Sequence, residues 1–82
     1  MHKIKLLFFA TLRDKTGMRE TDFEVPAGTT IDGLKQLLES RFHGLAPTLE
    51  TAVMSINREF AFNTDVIPDG AEIAIFPPVS GG

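Results

Sequence analysis

The spacing of apolar residues changes along this chain from alternation to a helical stripe and back. From Lys3 to Leu12, Ile4, Leu6, Phe8 and Ala10 fall on one side, and Lys5, Leu7, Phe9 and Thr11 on the other. That alternation predicts a strand, and apolar residues on both sides predict at least partial cover on both faces. Arg13 to Met18 is polar, contains Gly17 and reads as a turn. Arg19 to Val25 is a second strand, stopped by Pro26-Ala27-Gly28. So short a connection predicts that the two strands form a hairpin.

Ile31 to His43 carries the helical stripe: Ile31, Leu34, Leu38 and Phe42, with Leu37 beside them. Thr30 is placed to cap its first turn, where Asp32 also suits the helix dipole. Gly33 weakens that turn slightly. Arg41 and His43 suit the last turn, and Gly44 fits a left-handed stop, followed by Leu45 and Pro47. Ala52 to Asn57 reads as a third strand. Asn57-Arg58-Glu59 turns the chain, and Phe60-Ala61-Phe62 returns. Asp69-Gly70 is a strong turn signal before a last strand, Ala71 to Phe76.

The order is ββαββ with one main helix. A hairpin, a crossing helix and returning strands describe an α+β roll on a mixed sheet, the β-grasp (ubiquitin-like) arrangement. A ferredoxin-like alternative needs a second helix, which the periodicity does not supply. The 82 residues predict one domain over 1–82, with residues 77–82 as a flexible C-terminal tail.

Composition removes several classes of function. There is no cysteine, so there is no disulfide framework, thiolate metal site or thiol catalysis. His2 and His43 form no metal pattern, no Ser-His-Asp set or carboxylate pair stands out, and no metal site or internal catalytic residue is expected. The apolar run from Leu6 to Ala10 is too short for a signal segment or a membrane span, which predicts a soluble cytoplasmic protein without membrane contact. The net charge of −3 argues against a nucleic-acid partner. Charge is unevenly spread. In residues 1–19 five basic side chains against Asp14 leave +4, and in residues 20–82 three basic against ten acidic leave −7. That predicts a basic and an acidic end, either as plain solvated surface or as steering toward a charged partner.

The ending is the unusual feature: Pro77-Pro78-Val79-Ser80-Gly81-Gly82. Two prolines end the last strand and stiffen its exit. Six extended residues reach about 20 Å, enough to enter another protein's active site while the body docks outside. Glycine threads a narrow channel and accepts backbone angles closed to other residues. A terminal carboxylate is unreactive as it stands. Adenylation would make it an acyl electrophile, which a sulfur nucleophile converts to a thiocarboxylate and an amine to an amide.

Phe8-Phe9-Ala10-Thr11-Leu12-Arg13-Asp14 with Gly17, Val53-Met54-Ser55-Ile56-Asn57, and above all Phe76-Pro77-Pro78-Val79-Ser80-Gly81-Gly82 resemble molybdopterin synthase small subunits over the whole chain. The resemblance implies a sulfur carrier without a catalytic site of its own and without a bound cofactor. Gly82, with Gly81 as its essential neighbour, would be adenylated by an E1-like adenylyltransferase using ATP in trans. A sulfur-relay protein would then load it as a thiocarboxylate. The loaded tail would enter the molybdopterin synthase large subunit, in an assembly of two small and two large subunits, and give sulfur to cyclic pyranopterin monophosphate. Phe9, Phe60 and Phe76 match the family's apolar docking surface, and Arg13 a basic position after the first strand; Pro77 and Val79 extend the partner-binding set along the exit. Each phenylalanine is equally compatible with plain core, and Arg13 with a solvated turn. The alternatives are a sulfur carrier for thiamine or tRNA thiolation, a ubiquitin-like modifier joined to lysines through Gly82, and a binding module with an inert tail.

Overall fold

The computed structural model describes residues 1–78. In chain order they form β1 (His2–Phe8), α1 (Thr11–Thr16), β2 (Glu20–Val25), α2 (Ile31–Arg41), α3 (Ala46–Thr51), β3 (Val53–Ile56), β4 (Glu59–Ala61) and β5 (Glu72–Phe76). The strands make one mixed sheet in the order β2-β1-β5-β3-β4. Only β1 and β5 run parallel, from Lys5 opposite Glu72 to Phe8 opposite Ile75. The other pairs are antiparallel. This is the expected β-grasp.

The core lies between one sheet face and α2. Ile4, Leu6 and Phe8 of β1, Met54 of β3, and Ile73 and Ile75 of β5 meet Ile31, Leu34 and Leu38 of the helix, all buried. The Phe8 ring meets Phe42 edge to face, centroids 6.0 Å apart. Thr30 caps α2 as expected, its hydroxyl accepting from the Gly33 N–H at 3.1 Å. The opposite sheet face carries no helix: Lys3 and Lys5 are exposed there and Leu7 is half-buried. Cover on both faces of β1 is therefore partial only.

Several boundaries differ from expectation. β1 ends at Phe8 because Ala10 turns the chain at φ 53, ψ −129. The stretch read as a turn is then a helix, α1, held by Leu12, which is fully buried, and closed by Gly17 at φ 73, whose N–H bonds the Arg13 carbonyl at 2.8 Å. α2 stops at Arg41 rather than His43, with Phe42 already extended at φ −117, ψ 96. Gly44 is left-handed at φ 91, but two residues past the cap. Pro47, read as a breaker, instead sits in the first turn of α3, where a missing N–H costs nothing. Leu49, fully buried, is that helix's anchor. Along α2, Lys35 rather than Leu37 joins the buried stripe: Lys35 is 7% exposed and Leu37 37%.

The expected separation of charge into two ends also fails. On the open sheet face Lys3 pairs with Glu24, and Lys5 stands between Asp22 and Glu72. Hairpin pairing folds the basic N-terminal segment directly against the acidic one, so the excess charges neighbour each other. No helix among the described residues is long and apolar enough to cross a membrane.

Two stability changes follow. Leu38→Ala, at a fully buried site, is expected to cost about 2–5 kcal/mol. Ala10 occupies a region that disfavours a Cβ, so Ala10→Gly is expected to raise stability by about 1 kcal/mol. Urea denaturation of the two variants beside the parent chain checks both.

Candidate functional site

The parallel pairing of β1 with β5 decides what surrounds the exit of the chain. Carrying its register one residue past Phe8 and Ile75 brings Phe9 beside Phe76. Their rings stack 4.6 Å apart at 15°, and the Phe9 N–H donates to the Ile75 carbonyl at 3.2 Å. Arg13, on α1, reaches back. Its Nε donates to the Phe8 carbonyl at 3.2 Å, and its guanidinium carbon lies 5.8 Å from the Phe9 ring centre. Phe9, Phe76 and Arg13 thus form one stacked column at the root of Pro77. Phe9 and Pro77 are half-buried, and Arg13 and Pro78 are exposed.

The remaining expected site residues fall into two groups. Phe60 is on the same open face, two strands away on β4, and is 62% exposed. It belongs to the surface but does not touch the column. Val79, Gly81 and Gly82 lie outside the described residues, as does most of the segment 77–82 expected to be a flexible tail.

The open face is graded in rows. β3 pairs Val53 with Phe76, and carrying the β3–β4 register one residue on sets Phe62 opposite Val53. Phe9, Phe76, Val53 and Phe62 therefore make the row nearest the exit. The next row is Leu7, Ala74, Ser55 and Phe60. The row after that is charged: Asp22, Lys5 and Glu72. Two steps of two residues, roughly 7 Å each, take the face from aromatic to ionic.

Sequence reasoning missed Phe62 and Val53. Phe62 is 64% exposed and meets Phe60 edge to face, centroids 5.0 Å apart. Its signal was present: with Ala61 buried, Phe60 and Phe62 must share the outer face. Asp65 holds the Phe62 backbone, its carboxylate accepting from the Phe62 N–H at 2.8 Å. Four of the seven phenylalanines thus lie on the open face, while Phe8, Phe23 and Phe42 serve the core. Exposed aromatic rings clustered on one face are the kind of apolar patch that interaction surfaces carry. Among the described residues no three His, Cys, Asp or Glu side chains gather as they would to hold a metal ion.

The chain is similar to proteins of known role along its full length. The molybdopterin synthase sulfur carrier subunit of Chlamydomonas reinhardtii is 34% identical over 82 residues, covering 98% of this chain and 99% of that one. The protein of the same name from Escherichia coli is 35% identical over 82 residues, covering 96% and 99%. Among solved structures, SAMP1 from Haloferax volcanii superposes with a TM-score of 0.82 at 25% identity, covering 98% and 99%. The model of the ThiS family matches residues 6–82. With that match spanning the sheet, the aromatic column and the Gly-Gly ending, this chain belongs to the ThiS family.

Proposed function

We propose that this chain is the sulfur-carrier subunit of a molybdopterin synthase. The observation that carries the reading is the place of the aromatic surface: it begins at the root of the Pro77–Gly82 segment, in a chain that matches sulfur carrier subunits from end to end. A carrier needs a body that docks and a terminus that reaches, and the docking face must lie where the terminus leaves.

The proposed chemistry rests on a free carboxylate at Gly82. Its carboxylate oxygen attacks the α-phosphorus of ATP on an E1-like adenylyltransferase, releasing pyrophosphate. A sulfur nucleophile delivered by a relay protein then displaces AMP, and the product is a thiocarboxylate. That group is anionic and nucleophilic at neutral pH. Within the large subunit the thiocarboxylate sulfur attacks a carbon of cyclic pyranopterin monophosphate and displaces an oxygen substituent from it; water then hydrolyses the resulting thioester, leaving the sulfur on the pterin and restoring the carboxylate. Two such transfers build the dithiolene, in keeping with an assembly of two small and two large subunits.

The chain's own residues contribute position. The Phe9–Phe76 stack and the Arg13 bond to the Phe8 carbonyl fix the direction in which Pro77 leaves. Pro77 and Pro78 cannot continue the sheet ladder. Gly81 and Gly82 allow close approach of the acyl carbon to the enzyme groups that attack it. Catalytic groups belong to the partners.

Incubation with an E1-like adenylyltransferase, ATP and a sulfur donor is expected to raise the intact mass by one sulfur-for-oxygen exchange. The gain should be lost on mixing with the large subunit and its pterin substrate. An unchanged mass would overturn the carrier reading, and protein conjugates through Gly82 would point to a modifier instead. Phe60→Ser, at an exposed position, is expected to change folding stability by no more than about 0.5 kcal/mol. The same substitution should weaken large-subunit binding by about 1–3 kcal/mol, measured by calorimetry.

A further inference from the structure

Lys35 occupies a position that the helical stripe of α2 assigns to an apolar residue. It faces the core side with Ile31, Leu34 and Leu38, and is 7% exposed. Its Nζ donates to the Asn63 side-chain oxygen at 3.0 Å. Two of its three N–H groups have no protein acceptor among the described residues. Nor does any carboxylate come within 4.0 Å of it; the ion pair found among the described residues is Arg58–Glu72. The Lys35 stem is thus covered, while its ammonium, bonded to a neutral amide, keeps donors for a further acceptor. Tying α2 to the loop after β4 needs only a neutral donor, so the strut role does not account for the charge.

The ammonium lies at a groove of about 250 Å³ that rounds the sheet edge at β4. Its lining includes Val53, Phe60 and Phe62, and Glu50 of α3. Phe60 and Phe62 therefore border both this groove and the open aromatic face, so the two surfaces are continuous.

We infer that the Lys35 groove is a second recognition point, which takes an aspartate or glutamate side chain presented next to an apolar residue by the protein that covers the aromatic face. The inference rests on the docking reading above. Charge selects the carboxylate: among the described residues the ammonium has free donors and no carboxylate within ion-pair distance, and the rings exclude water from the pair once the apolar neighbour seats. Glu50 opposes a second negative charge, so the carboxylate enters along the Phe60 wall. Through this contact the carrier distinguishes partners that carry an acidic residue at the rim from those that offer only an apolar patch.

The test is calorimetric binding of the full-length chain to the molybdopterin synthase large subunit from the same source. Lys35→Gln keeps a donor for Asn63 and removes the charge. It is expected to retain the fold, as thermal melting will show, and to bind at least about tenfold more weakly. Lys35→Arg should bind nearly as the parent does, and Glu50→Gln more tightly. Parent-like binding by Lys35→Gln overturns the proposal. If Phe60→Ser weakens binding in that case, the docking reading survives and only the Lys35 contact is lost. If neither substitution matters, both fall. Carbodiimide coupling of the unmodified complex gives a readout that needs no variant. It should join Lys35 to a partner aspartate or glutamate, and a cross-link map without a Lys35 peptide overturns the proposal.

Discussion

The parallel contact between β1 and β5 at the centre of the sheet is the constraint on which the other features hang. A parallel pair cannot be joined by a tight turn, so the intervening chain has to cross over, and α2 is that crossover. The crossover covers one face and leaves the other open. The same pairing ends both strands at the same edge of the sheet, which is why Phe9 and Phe76 stack and why the chain leaves beside an aromatic column. One register thus decides the placement of the core, the open aromatic face and the exit.

The fold was legible where a residue's neighbours in sequence are also its determinants. Alternation placed Ile4, Leu6 and Phe8 inward, and Thr30 announced the start of α2. The two short helices were hidden for opposite reasons. α1 depends on Ala10 at a positive φ, an angle that alanine does not advertise, and on one anchor, Leu12, too few for a period. α3 was masked because Pro47 looks like a stop, although proline is well suited to a first helical turn. The outward place of Phe60 was legible from its alternation with Ala61. The extent of the aromatic face was not, because the row from Phe9 to Phe62 is assembled across four strands. Lys35 stood in the stripe all along, but periodicity cannot tell a buried cation from an exposed one until Leu37 is seen to face water.

The aromatic residues divide between the core and the surface. Phe8 and Phe42 meet across the core, whereas Phe60 and Phe62 meet each other at the surface. Exposed rings invite indiscriminate association, and the charged row of Asp22, Lys5 and Glu72 bounds the patch on its inner side.

The strand at the middle of the sheet, β5, is the last described element of the chain, and β1, the first, waits for it. Lys5 meets Glu72 only after nearly everything between them has been made. Contacts so distant in sequence slow folding, because the loop they close must be ordered before they reward it. On the ribosome the β1–β2 hairpin and α2 emerge early but cannot complete a core, since the place beside β1 is empty until β5 clears the exit tunnel. Nascent chains therefore expose an unsatisfied strand edge until β5 emerges. A carrier built this way cannot present its aromatic column before its final strand is in place.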